Sequence, residues 1–473
     1  MRMKWKIGLG ILICLVVYLA LVCVPYVRQG GVTDKTKNGF SADEFYKETK
    51  GPDRAAVLFQ NQEALEERLR LISGAEERIV LSTFDFHADN SGKKVLAALY
   101  DAAKRGVKVQ ILTDGTSYFL QTRNNPYFKA VGEHENVTIK AYNPINLLKP
   151  TKLMARLHDK YLLADDRVYI AGGRNTYDFF LGNETDYVNY DWDILVYNEA
   201  RTEDSSVYDL MEYSEKMWNL PDSKVMLKGG KRSSKEREKI TEAGKELEEL
   251  YRQMKEEHAD WFVQKDYKES TVETNCIRLL YNPIEASLKE PVLFYQMTEL
   301  MLQTEEETVF HTPYILCNAY MMERLRQICA ANEKVTMMTN SVANNGNPFG
   351  AMDYRLHKRK ILDTGVQVLE YDDGVSYHGK CFTIGDRLTS AGSFNWDMRS
   401  AYLDTELMLV VDSKPLNEIM KKYMATYENT CLEVKDKDTY VLKEGQKPQE
   451  RSTKQKILHG LLTPFDALIR FLL

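Results

Sequence analysis

Residues 157–175 read LHDKYLLADDRVYIAGGRN, and residues 377–395 read YHGKCFTIGDRLTSAGSFN. In both stretches a histidine is followed by a lysine two places on, by a glycine at +14 and by an asparagine at +17. If positions were independent, the chance of this double coincidence would be on the order of one in a million. The repeat therefore predicts a chain built from two similar halves.

The spacing of these residues has a physical reason. Residues i and i+2 of a strand point to the same face, so the histidine and the lysine of each stretch project together. The strand then turns back, and the next strand ends in a glycine-rich turn that presents the asparagine beside the same site. The predicted donors are one histidine, one lysine and one asparagine from each half: His158, Lys160 and Asn175, and His378, Lys380 and Asn395.

A symmetric set of cationic and amide donors suits a phosphodiester, whose anionic oxygens need such partners. Two imidazoles that face each other across phosphorus supply two roles, because one attacks as a neutral nucleophile and the other protonates the leaving oxygen. A histidine nucleophile works better when a carboxylate holds its far ring nitrogen. Glu406, eleven residues after Asn395, and Asp193, at the place we take as equivalent in the first half, are the candidates for this role.

The sequence around each motif predicts the fold class. Strands rich in β-branched residues alternate with helical runs, first over residues 77–114 and again over 308–341. This alternation predicts parallel sheets covered by helices. We expect an α/β protein with two α-β-α sandwich halves related by a pseudo-twofold axis, over residues 55–225 and 275–435. The charged segment 228–260 predicts a solvated helical linker between them.

The N-terminus predicts a membrane anchor. The run 7–27 carries no charge, and at about 1.5 Å per residue it is long enough to cross a hydrocarbon core of roughly 30 Å. A cleaved signal peptide is the alternative, but its apolar run is usually shorter and ends in small residues. We predict an uncleaved single-pass anchor within residues 1–30, in the cell membrane, with the side of the catalytic body left open.

The C-terminal segment 454–473 places apolar residues at helical spacing with cationic residues at its flanks, which predicts an amphipathic helix. Such a helix can lie in a lipid interface or pack on the body of the protein, and both interpretations stay open.

Composition excludes several classes of protein. The 473 residues are 44% hydrophobic and 28% charged, which is typical of a folded chain of two domains. A net charge of −6 argues against a nucleic-acid partner. The 7 cysteines include no CxxC pair, so neither a disulfide framework nor a cysteine-type zinc site is expected.

The doubled pattern resembles the phospholipase D superfamily, whose signature is HxKxxxxD followed by GSxN, present twice. The resemblance covers residues 55–435 and is strongest to the bacterial cardiolipin synthase branch. It implies a two-step reaction without metal or other cofactor. By this resemblance His158 attacks phosphorus and forms a phosphohistidine. His378 protonates the leaving alcohol and then deprotonates the incoming one.

The resemblance gives roles to the other motif residues. Lys160, Lys380, Asn175 and Asn395 would hold the phosphoryl oxygens with help from Ser393, Asp165 would complete the first motif, and Glu406 and Asp193 would orient the histidines. The sequence departs from the family pattern twice, because Gly385 stands where the second motif has its aspartate and Gly173 replaces the first serine.

Either an alcohol or water can resolve such an intermediate. We expect a phosphatidyltransferase that forms cardiolipin with phosphatidylglycerol as acceptor, because the membrane segments lie where lipid substrates are found. A hydrolase that releases phosphatidic acid is the alternative. A nuclease is disfavoured by the acidic charge, and a non-catalytic membrane scaffold rests on Gly385 alone. The expected partners are phospholipids and the membrane, and the sequence leaves the oligomeric state open.

Overall fold

The computed structural model describes residues 2–228 and 232–473. Residues 229–231, near the start of the predicted linker, lie outside the described part. Within the described residues, each half of the chain forms one nine-stranded mixed sheet. The predicted α/β class with two similar halves is therefore confirmed.

The first sheet has the order β10-β1-β8-β6-β5-β2-β3-β4-β9. Its half of the chain contains the strands β1 (Asp53–Leu58), β2 (Arg78–Thr83), β3 (Lys108–Asp114), β4 (Val137–Tyr142), β5 (Tyr161–Ala164), β6 (Val168–Gly172), β7 (Asn189–Tyr190), β8 (Asp193–Asn198) and β9 (Ser223–Met226), and the edge strand β10 (Val272–Glu273) joins from beyond the linker. The helices up to this point are α1 (Arg2–Cys23), α2 (Asp34–Asn38), α3 (Asn61–Gly74), α4 (Asn90–Lys104), α5 (Gly115–Ser117), α6 (Pro126–Glu133), α7 (Ser206–Asn219), α8 (Ser234–Glu257) and α9 (Tyr267–Ser270).

The second sheet has the order β11-β20-β18-β17-β12-β14-β15-β21-β22. The strands of this half are β11 (Cys276–Tyr281), β12 (Thr308–His311), β13 (Ile315–Leu316), β14 (Val335–Asn340), β15 (Gln367–Tyr371), β16 (Ser376–Tyr377), β17 (Cys381–Ile384), β18 (Leu388–Gly392), β19 (Trp396–Asp397), β20 (Leu407–Asp412), β21 (Leu432–Asp436) and β22 (Thr439–Val441). Its helices are α10 (Val292–Leu302), α11 (Ala319–Ala331), α12 (Pro348–Leu362), α13 (Met398–Tyr402), α14 (Lys414–Glu428), α15 (Thr453–Leu462) and α16 (Asp466–Ile469).

Three neighbouring strands in each sheet run parallel, β2, β3 and β4 in the first and β12, β14 and β15 in the second. Their carboxyl ends therefore meet at one edge of each sheet. The two motif strands, β5 and β17, run antiparallel to β2 and β12, so they begin at this same edge. Each motif histidine lies just before its strand, which places both histidines at the carboxyl edge.

The two halves exchange short strand pairings at their junction. Strand β7 of the first half pairs in parallel with β16 of the second, where Tyr190 lies opposite Tyr377. Leu157 makes a parallel bridge with Thr405 in the same way. The residue after Tyr377 and the residue after Leu157 are the motif histidines, so the junction positions both.

The linker helix α8 is only partly solvated. Charged residues line its outer side, but one face is buried: Ile240, Ala243, Gly244, Leu247, Tyr251 and Met254. Tyr251, Leu247 and Met254 belong to the apolar core of the first half. The apolar positions recur every three or four residues, which is the spacing of one helix face. The linker therefore packs on the first half.

Among the described residues, one helix is long and apolar enough to cross a membrane. It covers Lys4–Tyr26 with a mean hydropathy of 3.0, and most of its surface is exposed. The predicted N-terminal apolar helix is thus present, and Tyr26, at the end of the span, packs in the core of the second half.

Candidate active site

Each motif histidine is held by a carboxylate from the other half of the chain. His158 Nδ1 lies 2.9 Å from Oε1 of Glu406, and His378 Nδ1 lies 2.6 Å from Oδ2 of Asp191. The backbone N–H group of each histidine also bonds to the other half: His158 N donates to Thr405 Oγ1, and His378 N donates to Tyr190 O. With Nδ1 engaged, the Nε2 atom of each ring is the one left for chemistry.

The two lysines of the motifs join the histidines in one charged cluster. Lys380 Nζ lies 3.4 Å from Asp191 Oδ2 and also contacts the His378 ring. Lys160 Nζ donates to the carbonyl of His158. The ammonium groups of both lysines lower the pKa of both histidines, because a nearby positive charge disfavours the protonated ring. The predicted pairs of histidine and lysine are therefore brought together.

Burial sets the protonation of the cluster. It lowers the pKa of His378 to about 3, with the Lys380 ammonium adding to the effect, and it lowers the pKa of His158 well below its ordinary value. Both imidazoles are therefore neutral at pH 7 in this state, as a nucleophilic imidazole must be.

The two orienting carboxyls differ in charge. Burial raises the pKa of Glu406 to about 7. Burial also acts to raise the pKa of Asp191, but the Lys380 ammonium and the His378 contact outweigh it and bring the value to about 2. Asp191 is therefore fully ionised at neutral pH, whereas Glu406 is not.

The expectation that Asp193 orients a histidine is wrong, and the residue two places earlier does so instead. Asp193 is fully buried and accepts from the guanidinium groups of Arg68 at 2.9 Å and Arg174 at 3.2 Å. Strand pairing explains the difference. Gly172 lies opposite Asp193, whereas Gly392 lies opposite Met408, so the first-half counterpart of Glu406 is Asp191.

Ser393, expected on the phosphoryl oxygens, instead donates to Oε2 of Glu406. The equivalent position of the first half is Gly173, and the site has no room for a serine side chain there. A Cβ on Gly173 would lie under 3.0 Å from the carboxylate of Asp191. The second half thus pairs Glu406 with Ser393, whereas the first half pairs Asp191 with Gly173. The shorter aspartate side chain lies directly against the backbone of the glycine.

The two motif asparagines follow the ends of β6 and β18, and their side chains differ in their hydrogen bonds. Asn175 Oδ1 accepts from the backbone N of Asp85 at 3.3 Å. Asn395 is buried, and its Oδ1 atom has no hydrogen-bond partner among the described residues. A buried polar atom left in this way is one that a bound molecule can satisfy.

Asp165 lies away from the site, at the far end of the motif strand. Its carboxylate accepts from the backbone N–H groups of Glu76, Glu77 and Arg78 at 2.8–3.0 Å, so it organises a turn and is not a catalytic residue. The same turn in the second half has Gly385 at φ +55°, and the Glu306 carboxylate fills the place of a side chain there. The missing aspartate is therefore remote from the chemistry.

A second layer of side chains, outside the two repeated motifs, lies behind His378. His311 lies between the Tyr377 hydroxyl at 2.8 Å and Glu428 Oε1 at 2.9 Å. Trp192 Nε1 donates to the same Tyr377 hydroxyl at 2.5 Å. A Cβ on Gly379 would overlap both Trp192 and Tyr377, which accounts for the glycine between the motif histidine and lysine.

A group of three side chains with metal-ligand chemistry lies outside this site. Among the described residues, Asp353, His357 and Asp466 bring their ligand atoms within 4.8 Å of one another. Arg470 Nε already lies 2.5 Å from Asp353, which places a fixed positive charge at this group. These residues therefore do not fit a resident cation.

Comparison with known proteins gives the same two-part pattern. The family described as "Cardiolipin synthase, PLD-like domain" matches residues 69–218 and 297–430. Cardiolipin synthase C of Escherichia coli K12 is 23% identical over 403 residues, which cover 77% of this chain and 82% of that protein. Cardiolipin synthase B of Salmonella typhi is 24% identical over 406 residues, which cover 85% of this chain and 86% of that protein.

A solved structure shares the fold. The crystal structure of phosphatidylserine synthase from Haemophilus influenzae superposes with a TM-score of 0.63 at 15% identity, and the match covers 93% of this chain and 100% of that chain. At this level of identity the similarity shows the arrangement of two joined halves and nothing finer.

Proposed function

Because the chain belongs to the family of cardiolipin synthase, phospholipase D-like domains, we propose that it is a phosphatidyltransferase that forms cardiolipin. It moves a phosphatidyl group from a phospholipid to a glycerol hydroxyl of phosphatidylglycerol. The observation that carries the proposal is the pair of histidines at one junction, each held through Nδ1 by a carboxylate of the other half. The names of the relatives and the apolar N-terminal helix support a lipid substrate.

In the first step His158 Nε2 attacks phosphorus. The new N–P bond forms as the bond from phosphorus to the leaving alcohol oxygen breaks, and His378 gives that oxygen its proton. Glu406 holds Nδ1 of the attacking ring, so the lone pair on Nε2 is directed at the phosphodiester. The positive charge that builds on His158 favours the ionised form of Glu406, and this carboxylate then balances the charge.

The negative charge of a bound substrate allows His378 to act as the general acid. His378 is neutral in the unliganded site because burial and the Lys380 ammonium both lower its pKa. A phosphodiester anion bound between the lysines offsets their charge and raises the pKa of His378. The ionised carboxylate of Asp191 then stabilises the imidazolium. The enzyme therefore gains its general acid only when a substrate is bound.

In the second step an acceptor hydroxyl resolves the phosphohistidine. His378 Nε2 takes the proton of that hydroxyl, its oxygen bonds to phosphorus, and the bond to His158 breaks. Both histidine side chains are only 13–14% exposed. The rings of Phe84 and Phe180 lie edge-on to them, with centroids 5.4 and 4.9 Å away. This limited exposure restricts water and favours an alcohol acceptor.

The reaction is tested with purified full-length protein in vesicles that contain labelled phosphatidylglycerol. Cardiolipin with an equal amount of free glycerol is the expected result. Phosphatidic acid as the sole lipid product would replace the proposal with hydrolysis, and DNA cleavage with inert lipid would replace it with a nuclease. His158→Gln should abolish product formation, whereas His134→Gln, a matched change on α6's C-terminal side, should leave it unchanged.

A further inference from the structure

An apolar loop lies against the N-terminal helix. Ile145, Leu147 and Leu148 are exposed, and Leu148 is 91% exposed. The Tyr18 hydroxyl of α1 donates to the carbonyl of Leu147 at 3.0 Å. Tyr18 precedes Tyr26, the end of the apolar span, by about 12 Å along a helix that rises 1.5 Å per residue. If α1 spans the bilayer, the loop reaches well below its surface.

A second apolar tip rises from the same base. Phe119 and Leu120 are exposed on the turn after β3, and the loop 143–148 follows the adjacent parallel strand β4. Gly115 contacts Asn143 so closely that a Cβ on Gly115 would lie under 3.0 Å from the Asn143 carbonyl. Both tips therefore leave the carboxyl edge of the first sheet, the edge that holds the histidines.

The C-terminal segment turns its polar side to the protein and its apolar side outward. Asp466 accepts from His357 Nε2 at 3.1 Å, Arg470 pairs with Asp353, and His459 is buried. The exposed side carries four large apolar residues: Ile457, Leu461, Phe465 and Leu468. A helix on a water-facing surface has the opposite orientation. The packing alternative is therefore right for the polar face and for the last three residues, Phe471, Leu472 and Leu473, which pack on the core of the second half.

The C-terminus lies beside the end of the membrane helix. Gln29, just after α1, donates to the carbonyl of Phe471 at 2.7 Å. Arg399 contacts both the carbonyl of Leu472 and that of Met154, which lies at the foot of the apolar loop. The helix, the loop and the outward apolar side thus form one continuous region. Three exposed lysines lie along this region: Lys149, Lys454 and Lys456. Their positive charges attract anionic lipid headgroups.

We propose that this region is a second membrane contact, which binds the face of a bilayer that contains anionic phospholipid. The tips 119–120 and 145–148 enter the acyl region, and the apolar side of residues 457–468 lies in the interface. The contact holds the carboxyl edge of the sheets toward the lipid that α1 crosses. It stands independently of which reaction the site performs.

Photocrosslinking in the reconstituted full-length protein tests the contact. Photoreactive benzoylphenylalanine replaces Leu148 or Leu461, one at a time, in vesicles of phosphatidylglycerol and phosphatidylcholine. Leu12 in α1 is the positive control. Val263, which is 60% exposed, is the matched negative control, because its carbonyl accepts from Arg70 at the opposite edge of the first sheet.

We expect phospholipid adducts at positions 148, 461 and 12 and none at 263, read as mass shifts of the intact protein. Adducts at 12 without adducts at either 148 or 461 would overturn the proposal. Crosslinks from 148 or 461 to a second copy of the chain would also overturn it and would assign the surface to self-association.

Discussion

The carboxylate of Asp191 lies 2.6 Å from Nδ1 of His378, although 187 residues separate them in the chain. Glu406 holds His158 from the opposite direction in the chain, so neither half contains a complete pair of histidine and orienting acid. The site exists only where the halves meet. This explains why the chain carries both motifs, and why the junction strands β7 and β16 end one residue before Asp191 and His378.

Removal of an orienting charge should slow the chemistry and leave binding intact. Asp191→Asn or Glu406→Gln should lower kcat by about 100- to 10,000-fold, because the histidine loses the carboxylate that sets its tautomer and stabilises its charged form. KM should change little. The unfolding temperature of Asp191→Asn should fall somewhat, because the buried Lys380 loses its carboxylate, so kcat is measured on the folded fraction. A parallel rise in KM, or loss of folding, would assign these carboxyls a structural role.

Asp193 should behave in the opposite way. Asp193→Asn leaves the buried guanidinium groups of Arg68 and Arg174 without their carboxylate and should destabilise the protein by about 3 kcal/mol. The unfolding temperature should fall, while the folded fraction keeps most of its kcat. Unchanged stability with a large loss of kcat would restore Asp193 as the orienting residue.

Restoring the family serine in the first half should be harmful. Gly173→Ser forces the Asp191 carboxylate away from the backbone and displaces its contact with His378. A shift of this size should reduce kcat by about 100-fold. Gly30→Ser, at a glycine with open space around it, is the control and should be neutral. Equal activity of the two variants would refute the account of the glycine.

The pH dependence of kcat/KM should follow the ionisation of Lys160. Burial lowers the pKa of Lys160 to about 7, although the Glu406 carboxylate acts to raise it. Free enzyme therefore loses this positive charge as pH rises through 7, and kcat/KM should fall on the alkaline side with a midpoint near that value. Lys160→Arg keeps its charge and should move the alkaline limb upward, at a lower maximum. If the alkaline midpoint of Lys160→Arg does not move, a group other than Lys160 titrates there.

The repeat, the α/β class and the two histidine–lysine pairs could be predicted from sequence because they depend on local spacing. The choice between Asp191 and Asp193 could not. Asp193 opens β8 and Asp191 lies two residues before it, so alternation alone would place both acids on the same face. The two acids are distinguished by the pairing of β6 with β8, in which Gly172 lies opposite Asp193. That pairing joins distant parts of the chain, so local spacing does not reveal it.

The contacts of the serine and of the motif aspartate could not be predicted for a related reason. Ser393 and Asp165 belong to motif positions, but what each side chain contacts depends on residues far along the chain, Glu406 and the turn at Glu76. The cross-over of acids between halves has no sequence signal. It follows from how the two sheets meet.

The central claim is that His158 forms the covalent bond to phosphorus and His378 moves the protons. A phosphatidyl donor with a nitrophenol leaving group needs no proton from His378, so His378→Ala should still form the adduct but resolve it slowly. Acid-free quenching and peptide mass spectrometry should then place the phosphatidyl group on His158 at close to one per chain. An adduct on another residue, or release of nitrophenol by His158→Gln at the wild-type rate, would contradict the account.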